Sequence, residues 1–334
     1  MTVSVVAAVR QERAAIERFL ASLAAQDLAG VEWEVIVADG NSDDGTREAL
    51  DLRAREWPRL TVIDNPRRTA ACGLNEAIRR ARGEVIVRMD AHTEYARDYL
   101  RQCLAVLEET GADNVGGPAQ TRAEGWVQRA IAAAYHSRFA SGGARFHHGD
   151  YEGPVDTAPY GCWRRATLDR IGLFDEALTR NQDDELNLRI VRSGGRVWQS
   201  PRIRSWYRPR ASLGALFAQQ FRYGFWKVAV IRKHGRAGSW RPLAPAAAAF
   251  MGLSLALLSP FVSAALAALG ALAGVWLMAA LAASISAARG GGWDLLAPMP
   301  LVFFTYQTGY GLGFLAGLAA AVARPRGARG SPSR

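Results

Sequence analysis

Cysteine is scarce in this chain: Cys72, Cys103 and Cys162 are the three in 334 residues, far apart and with no CxxC among them. An odd, scattered set argues against a disulfide framework or a zinc knuckle and fits a reducing compartment. The pattern of a secretory signal is lacking too. The apolar run Val3–Val9 is seven residues long, has no basic stretch before it and closes on Arg10-Gln11-Glu12. It reads as a buried first strand. Acidic residues all but stop after position 200, where Asp294 stands alone.

The formal charge of +10 is therefore unevenly spread. Residues 1–200 hold 26 basic and 30 acidic residues, and residues 201–241 hold ten basic and none acidic. Residues 242–334 hold five Arg beside Asp294. The acidic N-terminal part excludes a uniformly basic nucleic-acid coat. With 49% hydrophobic residues, the chain is far too apolar to be disordered.

Residues 1–200 alternate short apolar runs with apolar residues at helical spacing. Val3–Val9, Trp33–Ala38, Leu60–Ile63 and Glu84–Met89 are expected strands, and Glu12–Ala25, Thr46–Glu56 and Ala70–Ala81 expected helices. The alternation predicts an α/β domain over residues 1–205, with a mostly parallel central sheet flanked by helices. Ligands of such sheets bind beyond the carboxyl ends of the strands. Arg10–Glu12, Asp39–Thr46, Asn65–Arg68 and Asp90–Glu94 then share one rim.

Residues 206–241 change character. Aromatic residues from Trp206 to Trp240 interleave with basic ones, and from Leu213 the apolar residues fall near helical spacing. That pattern predicts a basic amphipathic helix at a membrane surface. Residues 242–323 contain two charged residues, Arg289 and Asp294. Phe261–Ile285 and Pro298–Val322 are each 25 uncharged residues, whereas Leu243–Leu258 is short. About 20 residues cross a bilayer, so two or three transmembrane helices are expected. Arg232, Lys233, Arg236 and Arg241 precede this block; Arg324, Arg326, Arg329 and Arg334 follow it in a basic tail, 324–334. Positive charge on both flanks places them in the cytoplasm and asks for an even number of crossings. The choice between two and three stays open.

Four segments carry chemistry. In Asp39-Gly-Asn-Ser-Asp-Asp-Gly-Thr46, the acid at the strand end can accept hydrogen bonds from a nucleobase or ribose; the plain alternative is a capped turn. In Arg88-Met-Asp90-Ala-His92, Asp90 and His92 can both reach one cation that neutralises a diphosphate. Asp183, Asp184 and Glu185 crowd one helix start with more acid than a helix dipole needs, and one of them can serve as general base. Gln219-Gln-Phe-Arg222-Tyr-Gly224 offers a guanidinium that can clamp phosphate oxygens.

Together these segments resemble the family 2 inverting glycosyltransferases of GT-A fold, over about residues 1–235. The stretch from Val3 to Glu12 looks like the first nucleotide-contacting strand and loop, and Asp39 matches the acid that holds the donor nucleoside. Asp90-Ala-His92 matches the DxD metal motif, Asp183 the catalytic base of the ED motif, and Gln219 to Tyr223 the QxxRW motif on the donor diphosphate. Within the family, DAH, QxxRYG and a hydrophobic C-terminus resemble the membrane-anchored succinoglycan-type exopolysaccharide glucosyltransferases of bacteria. Three positions depart from the pattern: His92 replaces Asp, Gln182 replaces Glu, and Tyr223 replaces Trp. A nitrogen ligand in place of oxygen shifts metal preference from Mg²⁺ toward Mn²⁺.

The resemblance implies inverting transfer from a nucleotide sugar, first of all a UDP-sugar, with a divalent metal as cofactor. Asp183 would be the base, while Glu12, Asp39, Arg68, Asp90, Gln219 and Arg222 would bind the donor. Asp90 and His92 would hold the metal, and Gly161, Trp163 and Glu185 would line the acceptor side. The membrane block implies a polyprenyl-linked saccharide as acceptor, membrane lipids as partners, no nucleic acid, and a catalytic domain on the cytoplasmic face of the inner membrane. Two other readings stand beside this one: a polyprenyl-phosphate glycosyltransferase, and a membrane-anchored pseudoenzyme or nucleotide-binding scaffold.

Overall fold

The computed structural model describes residues 1–235 and 240–323; Arg236 and the expected basic tail 324–334 lie outside the described residues. The strands are β1 (Thr2–Val9), β2 (Glu32–Asp39), β3 (Leu60–Asp64), β4 (Val85–Arg88), β5 (Thr93–Tyr95), β6 (Asn114–Gly116), β7 (Gln120–Thr121), β8 (Gly153–Pro154), β9 (Cys162–Arg164), β10 (Val197–Gln199) and β11 (Ser205–Tyr207). The helices are α1 (Arg13–Ala24), α2 (Thr46–Glu56), α3 (Ala70–Arg80), α4 (Tyr99–Thr110), α5 (Gly125–His136), α6 (Arg138–Ser141), α7 (Arg165–Ile171), α8 (Gln182–Arg192), α9 (Leu213–His234), α10 (Leu243–Leu258), α11 (Ser263–Gly291) and α12 (Met299–Ala323). They form two units, one of Met1–Arg122 with Ala144–Arg208, the other of Ala123–Gly143 with the described residues from Pro209 onward.

The first unit is built on an eight-stranded sheet in the order β3-β2-β1-β4-β9-β6-β10-β8. Strands β3, β2, β1 and β4 run parallel, as their continuous apolar runs predict. The other half is mixed rather than parallel, because β9 enters antiparallel between β4 and β6. Side chains alternate across the sheet. Val3, Val5, Ala7 and Val9 face one core with Ile16, Phe19 and Leu23 of α1 and Leu100 and Val106 of α4. Val6, Ile36 and Ala38 face the other, with Leu74 and Ile78 of α3 and Leu186 and Ile190 of α8. Each such side chain contributes about 1.5–3 kcal/mol by leaving water, and the doubly covered sheet gives the strand ends a rigid base. A small second sheet, β5-β11-β7, lies in the same unit.

The second unit is helical. Ala123–Gly143, expected within residues 1–205, folds with the C-terminal helices instead, because Ala130, Ile131 and Ala134 of α5 share a core with Met299, Val302 and Phe303 of α12. Helix α9 begins at Ser212, whose hydroxyl accepts the Ala215 N–H, and packs along α12 through glycine. A side chain at Gly309 or Gly317 would meet the carbonyl oxygen of Phe217 at 3.0 Å or of Phe225 at 2.7 Å, and at Gly313 it would overlap that of Phe221. Spacing by four places these glycines on one face, where they let the two backbones approach.

Among the described residues α11 alone is long and apolar enough to cross a membrane, and 11% of its most apolar stretch is buried. The expected span Pro298–Val322 is helical over Met299–Ala323 but falls short in apolarity, since Thr305, Tyr306, Gln307, Thr308 and four glycines dilute its hydrophobic residues. At 16 residues and 1.5 Å per residue, α10 is shorter than a bilayer core.

Candidate active site

The rim begins where β1 and β2 end side by side, with Val9 paired to Asp39. Gln11 and Asn41 both take left-handed backbone conformations, at φ 56° each. That turns the two loops toward each other. The Gln11 N–H donates to Ser42 Oγ at 3.0 Å, and the Glu12 N–H donates to Thr46 Oγ1 at 2.9 Å. Asp39 is buried, 1% exposed, and its carboxylate accepts from the Ser42 hydroxyl at 2.6 Å and the Ser42 N–H at 3.1 Å. These bonds to Ser42 fix the acid at the strand end, and at the start of α2 the Thr46 N–H donates to Asp44 Oδ1 at 3.1 Å.

At the end of β4, Arg88 gathers two acids. Its Nε and Nη2 donate to the two oxygens of Asp90 at 2.7 and 2.8 Å, and its Nη1 pairs with Oδ1 of Asp183. The guanidinium is buried beneath the ring of Phe174, 5.8 Å from its centroid. Burial alone would expel such a charge; the two carboxylates more than compensate and push the Arg88 pKa up. For Asp90, burial pushes the carboxyl up, but the charge and hydrogen bonds of Arg88 bring it below the usual carboxylate range. Asp183 goes the other way. Burial raises it, Arg88 lowers it and the neighbouring Asp90 charge raises it again, leaving it above the usual value. Its side chain is still 31% exposed. A carboxylate with raised basicity, open to solvent, has the properties of a general base.

The same region holds a second, looser cluster. His92 is half-exposed, with Nδ1 at 3.7 Å from Glu12 Oε1, and its ring meets Tyr207 edge-on at 6.1 Å. The Tyr95 hydroxyl accepts the Asp90 N–H at 2.6 Å. One carboxylate, held below the usual range by Arg88, and one imidazole suit a divalent ion in part. Among the described residues no group of three or more His, Cys, Asp or Glu converges. Such an ion would complete its shell with water and with oxygens of a bound diphosphate. Mn²⁺ titrated alone into the protein is expected to bind about 10-fold or more weaker than with UDP present, by calorimetry. Equal affinities would show that the protein holds a complete metal site.

The other sequence candidates are placed as follows. Arg68 is exposed, at φ 59°. Gly161 has φ 107°, and its carbonyl accepts the Arg88 N–H at 3.0 Å. Trp163 is 1% exposed and packs edge-on against Phe174 at 5.9 Å. Glu185 is fully buried and binds Arg189, whose guanidinium also donates to the carbonyls of Ile171 and Leu173. Its carboxylate thus anchors α8, and Glu185→Ala is expected to cost about 3 kcal/mol in unfolding free energy by leaving Arg189 uncompensated. An unchanged denaturation midpoint would remove that role. Gln219 and Arg222 belong to α9 in the second unit. Gln219 is 7% exposed, accepts from the Tyr135 hydroxyl and donates to that of Tyr223, both at 3.3 Å, while Arg222 is exposed.

Sequence reasoning assigned no role to Arg88. The available signal was an arginine in an otherwise apolar strand expected to be buried on both faces.

Comparison with known proteins places the chain in a family. A model of glycosyl transferase family 2 matches residues 4–172. Succinoglycan biosynthesis protein ExoA of Rhizobium meliloti (strain 1021) is 33% identical over 224 residues, 66% of this chain and 68% of that one. A dolichyl N-acetyl-alpha-D-glucosaminyl phosphate 3-beta-D-2,3-diacetamido-2,3-dideoxy-beta-D-glucuronosyltransferase of Methanococcus voltae is 26% identical over 301 residues, 88% of this chain and 89% of that one. Among solved structures, the mannosyltransferase PcManGT from Pyrobaculum calidifontis, in complex with GDP-Man and Mn²⁺, superposes with a TM-score of 0.59 at 23% identity. The superposition covers 92% of this chain and 86% of that one. The family model and the similarity to ExoA show that the chain belongs to glycosyl transferase family 2, and its mixed sheet is that of a GT-A glycosyltransferase.

Proposed function

We propose that the chain is a membrane-bound, inverting hexosyltransferase that moves a sugar from a nucleotide sugar, UDP-sugars first, onto a lipid-linked saccharide in polysaccharide or glycoconjugate biosynthesis. The observation that carries the chemistry is Asp183: a carboxylate of raised basicity, with one oxygen on Arg88 and the side chain open to solvent. Its Oδ2 takes the proton of the acceptor hydroxyl as that oxygen attacks the anomeric carbon. The bond to the diphosphate breaks on the opposite face, and the configuration inverts. Asp39 and Glu12 hold the nucleoside, while Arg68 stabilises the negative charge that develops on the diphosphate. A divalent ion, Mn²⁺ or Mg²⁺, held by Asp90 and His92 would add positive charge at the same place.

The second unit supports an acceptor carried in a membrane. Phe250, Leu257, Phe261, Val275, Met278 and Phe304 are exposed on α10, α11, α12 and the turn before α11, an apolar surface that water does not favour. A lipid bilayer covers it best, and the basic residues of α9 attract anionic head groups. This supports residence at the inner membrane with the nucleotide-sugar site facing the cytoplasm. The name of the Rhizobium relative places that protein in succinoglycan biosynthesis, and that of the Methanococcus relative gives it a dolichyl-carried sugar acceptor. The first supports a role in polysaccharide biosynthesis here, and the second supports a lipid-linked saccharide as acceptor.

The test is product analysis after incubating detergent-purified protein with labelled nucleotide sugars and bacterial lipid extract. An extended lipid-linked oligosaccharide supports the reading. A single sugar on a lipid monophosphate would make polyprenyl phosphate the acceptor. No product despite UDP binding would point to a scaffold.

A further inference from the structure

We propose that Arg88 is a positioning residue that ties the base Asp183 to the donor-side Asp90 through one buried guanidinium, and that a divalent ion must share Asp90 with it. The inference rests on the reading of Asp183 as base and Asp90 as metal ligand.

The root of Arg88 is fixed. It is the last residue of β4, in register with Val6, and its N–H is bonded to Gly161. The side chain is 5% exposed, so its charge has nowhere to go but onto protein acceptors. Each of its three nitrogens is engaged: a fork from Nε and Nη2 onto both oxygens of Asp90, and Nη1 on Asp183 Oδ1, with the ring of Phe174 nearby. The two acids come from distant segments, the end of β4 and the first turn of α8. The guanidinium joins them.

Two consequences follow. With Oδ1 committed to Arg88, Asp183 presents Oδ2 to the acceptor in a set orientation, which is what proton transfer during attack requires. At Asp90, the resident guanidinium competes for both oxygens, so an incoming Mn²⁺ with its nucleotide pays for part of that contact. Lysine cannot reproduce this: a single ammonium lacks the planar fork that spans two carboxylates.

The experiment compares wild type, Arg88→Lys and Arg88→Gln for kcat, donor KM and the calorimetric affinity for Mn²⁺ in the presence of UDP, with circular dichroism and thermal midpoint as fold controls. Arg88→Gln is expected to lower kcat about 100-fold at little-changed donor KM, and to tighten Mn²⁺ about 5-fold. Arg88→Lys falls between on both. A residue that merely held the fold would lower kcat and Mn²⁺ affinity together. That result, or a kcat like wild type in folded Arg88→Lys, overturns the proposal. Should Arg88→Gln fail to fold, the kcat-against-KM split in Arg88→Lys decides. A wild type that turns over no donor fails the transferase reading instead, and Mn²⁺ affinity in the two variants then decides for Arg88: unchanged values overturn it.

Discussion

Asp183→Asn is expected to lower kcat by about 10²–10⁴-fold, the range for loss of a positioned general base, while UDP affinity holds. Asparagine keeps the shape, and its carbonyl oxygen can still accept from Arg88 Nη1, the contact that Asp183 Oδ1 makes now. What it cannot do is take a proton. The pH profile gives a second view of the same group. Burial and the Asp90 charge raise the Asp183 pKa above its usual value despite Arg88. The base works only when ionised, so activity is full above that raised pKa and is lost as pH falls through it. The acid limb of kcat/KM should therefore lie above the range of an ordinary exposed aspartate. An Asp183→Asn enzyme with turnover like wild type would take the base role away from this residue.

Gly313→Val carries the second large effect, through packing rather than chemistry. A side chain there overlaps the carbonyl oxygen of Phe221, a backbone atom that no rotamer change can move. Helices α9 and α12 must separate. Overpacking of this kind costs about 1–3 kcal/mol and occasionally more. Gly224 on α9 faces the backbone at Tyr310 and Phe314 of α12, so the closeness is required from both sides. The matched control is Gly270→Val on α11, where nothing lies within 4 Å and the change should stay within about 0.5 kcal/mol. Thermal unfolding in detergent separates the two; equal midpoints would mean that α9 and α12 do not need this close approach.

Much of the first unit was legible in the sequence because its strands and helices follow simple periodicities. The four strands and three helices expected before residue 90 are present with ends shifted by at most one residue. The later part was harder. Strands β6 to β11 are two or three residues long, too short to show a period, so the antiparallel entry of β9 and the mixed sheet could not be read. Ala123–Gly143 shows ordinary helical spacing, and nothing local says that its apolar face meets helices more than a hundred residues away. On α9 the apolar spacing from Leu213 takes in Leu216 and Val228, which are buried, but not Gln220 and Gly224, which complete the buried stripe where α12 comes close. The site shows the same division. Asp39, Asp90 and Asp183 stand at element ends that the pattern locates, whereas the bond through Arg88 depends on tertiary placement of α8.

The measurement that tests the central claim most directly is nucleoside diphosphate release by detergent-purified protein across a panel of UDP- and GDP-sugars. Each would be run with Mn²⁺, Mg²⁺ or EDTA, and with Asp183→Asn in parallel. Metal-dependent release from one donor, lost in the Asn variant, is the predicted result. Release that Asp183→Asn leaves untouched, or no release from any donor with lipid acceptor present, would contradict it.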